Sequence, residues 1–106
     1  MFNVKEISVA DLQQLLAERK DEIHLVDVRS PMEIAQGAIV GAVPMPLHTL
    51  PFNLEQLPQD KQVIFYCRTG ARSAQACAFV MQHGKDNVFN LRGGIVAWAQ
   101  SGQAVA

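Results

Sequence analysis

Apolar residues at Val9, Leu12, Leu15 and Leu16 recur three and four apart, the spacing of one helical face, and predict a helix over residues 9–19. Ser8 stands in front of it with Asp11 three residues on, a weakened capping box. The run Ile23-His24-Leu25-Val26-Asp27-Val28 is apolar and rich in β-branched residues, the pattern of a buried strand. Ser30-Pro31-Met32-Glu33 opens a short helix, with serine as N-cap and proline at the first helical position; Gly37 is its stop. Val63-Ile64-Phe65-Tyr66 is the clearest strand in the chain. Ser73 to His83 reads as a helix closed by Gly84. Val88-Phe89-Asn90-Leu91 reads as a further strand, and Gly93-Gly94 leads into a last helix carrying Trp98. Pro44, Pro46, Pro51 and Pro58 exclude a long regular element from Gly41 to Pro58 but leave room for short helical turns. The tail Ser101 to Ala106 is expected to fray.

Strands alternating with helices imply parallel strands joined by crossovers, hence an α/β sheet covered on both faces. In such sheets ligands bind beyond the carboxyl ends of the strands. Asp27 and Arg29 lie at one such end, and Cys67 follows the strand that ends at Tyr66.

Composition narrows the field. A chain of 106 residues favours a single domain, residues 1–106. With 49 % hydrophobic and 18 % charged residues and a formal net charge of −1, it has an ordinary soluble composition and no basic field to attract nucleic acid or an anionic membrane. No apolar stretch is long enough to span a bilayer, and the N-terminal residues carry no secretory pattern. Two cysteines, Cys67 and Cys77, read as reduced thiols in a cytoplasmic compartment and not as a disulfide framework. His24, His48 and His83 are scattered, so no metal-ligand spacing appears, and no cofactor is expected.

The chemistry concentrates in Cys67-Arg68-Thr69-Gly70-Ala71-Arg72-Ser73. A tight strand-to-helix turn leaves backbone N–H groups pointing into a concave anion nest. Gly70 permits a positive φ, Ala71 keeps the cradle open, and the following helix adds its N-terminal dipole. Arg68 and Arg72 are expected to add two positive charges. Cysteines at helix N-termini or near cations titrate at about 3.5–7.5, against about 8.5 when free, so Cys67 is expected to be a thiolate. Ser73 either donates its hydroxyl to that sulfur or caps the helix. Cys77, inside the helix at the phase of Ser73 and Val80, reads as core. Asp27 and Arg29 read as residues that hold the strand end, and Trp98 as a core anchor.

At this point the chain resembles the rhodanese family of sulfurtransferases. Asp27-Val28-Arg29 followed by Glu33, Gly37 to Ala42, the loop Cys67 to Arg72, and Gly93-Gly94-Ile95-Val96-Ala97-Trp98 match the family's motifs in order and span nearly the whole chain. The resemblance implies a rhodanese-like three-layer sandwich, with a five-stranded, mostly parallel sheet flanked by helices. It implies Cys67 as the nucleophile and Arg68, Thr69, Gly70, Ala71 and Arg72 as the substrate cradle, with Ser73, Asp27 and Arg29 in support. It also implies that sulfur passes from a donor such as thiosulfate, through a persulfide on Cys67, to cyanide, a small thiol or a protein cysteine. The chain departs from the family pattern at Ile34, Ala38 and Pro44, outside the active loop.

Two other functions compete. Tyrosine phosphatases also use a cysteine in a nest, but with five residues between cysteine and arginine; Cys67 and Arg72 are separated by four, a smaller ring suited to one sulfur and less to a tetrahedral phosphate. A binding module that has lost catalysis usually lacks the cysteine that this chain keeps. The expected partners are a small anionic sulfur donor and a protein sulfur acceptor, with the chain a monomer or homodimer.

Overall fold

A computed structural model describes residues 3–106. Its elements in chain order are β1 (Glu6–Ile7), α1 (Val9–Glu18), β2 (Ile23–Asp27), α2 (Pro31–Ala35), β3 (Val43–Pro44), β4 (Gln62–Tyr66), α3 (Ala71–Gln82), β5 (Val88–Leu91) and α4 (Gly94–Gln100). The five strands form one sheet in the order β1-β5-β4-β2-β3, and every pair is parallel.

Alternation along the central strand builds two cores. Val63, Phe65 and then Cys67 face α3, packing with Val26, Val88, Ala76 and Val80. Ile64 and Tyr66 face the other way, toward Leu12 of α1 and Ile95 and Trp98 of α4. Val63, Ile64, Phe65 and Tyr66 are each at most 1 % exposed, as expected for a parallel strand covered on both faces. Fully burying one such side chain is worth about 1.5–3 kcal/mol.

The helix starts follow their caps. Ser8 accepts from the Asp11 N–H at 3.1 Å. Ser30 and Glu33 form a complete, reciprocal capping box at α2. The proline-rich segment forms two 3-10 turns, Leu47–Phe52 and Leu54–Gln56, with Leu50 buried under them. No helix among the described residues is long and apolar enough to cross a membrane.

Three expectations are corrected. The first helix ends at Glu18. The helix expected from Ser73 begins at Ala71, because Gly70 takes a left-handed φ of +115° and turns the chain into α3 at once; Ser73 therefore lies inside the first turn. The tail does not fray. Ala38 and Ala106 exchange backbone hydrogen bonds at 2.8 and 2.9 Å, Val105 bridges Ile39, and the buried Trp98 indole N–H donates to the Ala104 carbonyl at 3.1 Å. A buried indole donor needs an acceptor, and the tail supplies it.

Candidate active site

The loop Cys67–Ala71 hangs from the carboxyl end of β4, in the middle of the sheet, where the first turn of α4 holds it. The Ile95 N–H donates to the Cys67 carbonyl at 2.9 Å and the Val96 N–H to the Arg68 carbonyl at 3.1 Å. With these carbonyls turned toward α4, the loop's N–H groups are free to face the sulfur. The approach is so close that a Cβ on Gly94 would stand 2.4 Å from the Arg68 oxygen and 2.5 Å from the Cys67 oxygen. Only glycine fits there, which gives Gly94 a steric reason tied to the site.

Cys67 is 1 % exposed. Its Sγ accepts from the Gly70 N–H at 3.1 Å and lies 3.3 Å from the Ser73 hydroxyl. Burial pushes the thiol up, and the Ser73 hydroxyl together with the N–H groups of Ser73, Gly70 and Thr69 outweighs it, so the net shift is downward. These donors lead, and the charge coupling between Arg72 and Cys67 is a lesser cause. Ser73 thus faces the sulfur from within α3, and the helix is entered at Gly70 without a side-chain cap.

The two arginines differ. Arg72 makes a two-pronged bridge to Glu33, Nη1 to Oε1 at 2.7 Å and Nη2 to Oε2 at 2.9 Å. That guanidinium is the first cause holding the Glu33 carboxyl down at about 2. The same Oε1 accepts from the Ser30 N–H at 3.1 Å, so one carboxylate ties the α2 cap to the first turn of α3. Arg68 is exposed and makes no salt bridge among the described residues. Of the two positive charges expected beside the loop, that of Arg72 is paired with Glu33 and that of Arg68 is not. Thr69 and Ala71 are exposed at the loop rim.

Asp27 and Arg29 form a buried ion pair at 2.7 Å, their side chains 1 % and 7 % exposed. Arg29 also donates to the Gly37 carbonyl at 2.7 Å. Beside them the buried Tyr66 hydroxyl accepts from the Ile39 N–H at 3.0 Å. These bonds pin residues 37–39 to the ends of β2 and β4. The pair acts as scaffolding beside the loop; breaking one partner of such a pair costs about 3–5 kcal/mol.

Two residues escaped the sequence reading. In the sequence Glu33 belongs to a helix start and a motif, 39 residues from its partner Arg72. Asn90 was read as one position of a strand, yet it is 3 % exposed, donates from Nδ2 to the Gly70 carbonyl at 3.1 Å, and accepts a short hydrogen bond from Ser73. An asparagine at an inward position of an apolar strand beside the cysteine-bearing strand was the available signal. Cys77 is fully buried in α3, and burial pushes its thiol up to about 12.

The rhodanese-like domain matches residues 8–101. A sulfurtransferase of Allochromatium vinosum is 52 % identical over 99 residues, 93 % of this chain and 92 % of that protein. A putative sulfurtransferase of Bacillus subtilis is 39 % identical over 97 residues, 92 % of each chain. Among solved structures, the human single-domain sulfurtransferase superposes with a TM-score of 0.81 at 28 % identity, covering 92 % of this chain and 97 % of that one.

Proposed function

The chain belongs to the rhodanese-like domain family, and from that premise we propose that it is a sulfurtransferase in which Cys67 carries the sulfur. The observation that supports this most is the buried Cys67 sulfur with the Gly70 N–H at 3.1 Å and the Ser73 hydroxyl at 3.3 Å. Together they stabilise a thiolate against its own burial. In the first step the thiolate attacks the outer sulfur of a donor such as thiosulfate. A bond forms between Sγ and that sulfur, the donor's S–S bond breaks, and its electron pair leaves with sulfite. In the second step an acceptor nucleophile (cyanide, a small thiol or a protein cysteine) attacks the outer sulfur, and the bonding pair returns to Cys67. This is two-step covalent catalysis, and the N–H cradle holds an anionic sulfur in both resting forms. Arg68 is the free cation for an anionic donor. Such a thiolate works in a reducing compartment, in line with the cytoplasmic location expected from its cysteines.

The paired state of Arg72 favours sulfur over phosphate. A phosphatase arginine must offer its guanidinium fork to the substrate, and here both prongs are on Glu33. Thiocyanate formation from thiosulfate and cyanide tests the reading, with an aryl phosphate as counter-substrate. Turnover of thiosulfate lost in Cys67→Ser is the expected result. Aryl phosphate hydrolysis lost in the same variant, without thiocyanate formation, would overturn it.

A further inference from the structure

Among the buried polar side chains, Asn90 is the one that touches the cysteine loop and Ser73 and has no task in the proposed reaction. It sits on β5 opposite Phe65 of β4, and its amide orientation is fixed by chemistry. The Gly70 carbonyl only accepts, so Nδ2 faces it and Oδ1 faces Ser73. Oδ1 in turn only accepts, so the Ser73 hydroxyl must supply the hydrogen between them. That hydroxyl has a single hydrogen, and on another side of its oxygen lies the Cys67 sulfur, also within bonding range at 3.3 Å. One hydrogen therefore faces two acceptors.

We propose that Asn90 is a positioning residue that competes with Cys67 for the single Ser73 hydrogen, and so sets the balance between the empty and the sulfur-loaded site. While Cys67 is a thiol, its S–H points to the Ser73 oxygen and the Ser73 O–H points to Asn90, and every group is paired. When the sulfur ionises, the O–H turns to Sγ and leaves the buried Asn90 oxygen without a donor, which is costly. When a persulfide forms, the charge moves to the outer sulfur and Sγ becomes neutral. The hydroxyl then turns back to Asn90. No covalent bond changes in these turns; the hydrogen stays on the Ser73 oxygen throughout. Asn90 thus favours the thiol and the persulfide over the bare thiolate; where the empty site rests as thiolate, this promotes loading and slows unloading. The loading consequence rests on the sulfur-transfer reading; the competition for the hydrogen does not.

The test is a double-mutant cycle read by the pH profile of Cys67 alkylation with iodoacetamide, in the full chain, for the unmodified protein, Asn90→Leu, Ser73→Ala and the double variant. The charged and titratable groups on the surrounding elements (Arg68, Arg72 with Glu33, Asp27 with Arg29, Tyr66, His48 and Cys77) are the same in all four proteins. Asn90→Leu is expected to raise the alkylation rate at pH 6 by about three- to tenfold while Ser73 is present, and not to raise it in the Ser73→Ala background. Loss of the Gly70 anchor alone acts without Ser73. An equal fall in both backgrounds, or no change in either, would therefore overturn the proposal. If the leucine variant does not fold, Asn90→Ala removes the same acceptor with less bulk. It should speed alkylation with Ser73 and not without it, and an equal change in both backgrounds would again overturn the competition. Alkylation needs no sulfur donor, so its outcome is separate from that of the thiocyanate assay.

Discussion

Cys67 and Cys77 lie ten residues apart on the same face of the sheet, in one apolar cluster, and both are at most 1 % exposed. Their thiols nevertheless move in opposite directions. Burial pushes Cys77 up to about 12; Cys67 meets the same penalty and still titrates below its ordinary value. Inside α3 each N–H is spent on the carbonyl four residues back, so Cys77 meets no spare donor. At the strand-to-helix turn the N–H groups have no such partner and converge on Cys67. The direction in which each thiol shifts therefore follows first from where it sits relative to unpaired donors, and not from its depth.

The largest break of this contrast is chemical. Cys67→Ser is expected to lower sulfur transfer at least about a thousandfold, whereas Cys77→Ser leaves the rate within about twofold of the unmodified protein; steady-state thiocyanate formation measures both. Next comes the scaffold of the donors. Gly94→Ala places a methyl group against the Cys67 and Arg68 carbonyls. It is expected to cost about 1–3 kcal/mol in urea unfolding from overpacking, and to slow transfer about a hundredfold by shifting the loop. Ser73→Ala removes one donor and leaves the N–H cradle. It raises the Cys67 titration and lowers the alkylation rate at neutral pH by about three- to tenfold.

The smallest effect is on stability against pH, and its sign differs between the two thiols. Native Cys67 ionises before the unfolded chain does, so between its lowered value and the ordinary thiol value the unfolded state holds more protons and stability rises with pH. Native Cys77 keeps its proton up to about 12, so above the ordinary value the native state holds more protons and stability falls as pH rises. Cys77→Ala is expected to flatten the alkaline fall, and Cys67→Ala the earlier rise, in unfolding curves taken from pH 7 to 10.

The same local-versus-distant distinction explains what was legible in the sequence. The helices announced themselves through caps and periodicity, and β2, β4 and β5 through apolar runs whose burial is set by their own residues. The loop's anion nest was legible because a glycine, a turn and a helix start lie within seven residues. The edge strands were not: β1 and β3 are two residues each, and Val43 and Pro44 are both exposed, so only pairing with β5 and β2 makes them strands. The Glu33–Arg72 bridge spans 39 residues, and the Asn90 network joins β5 to α3 across the sheet; neither has a local signature. The tail looked free because its partners, Ala38 and Trp98, are supplied by the folded body.

In the proposed reaction Cys67, and not its buried neighbour, carries sulfur. Intact-protein mass spectrometry after incubation with thiosulfate, applied to the unmodified chain, Cys67→Ser and Cys77→Ser, tests it most directly. A gain of one sulfur atom is expected in the unmodified chain and in Cys77→Ser, and none in Cys67→Ser. A gain that survives Cys67→Ser and disappears in Cys77→Ser would contradict it.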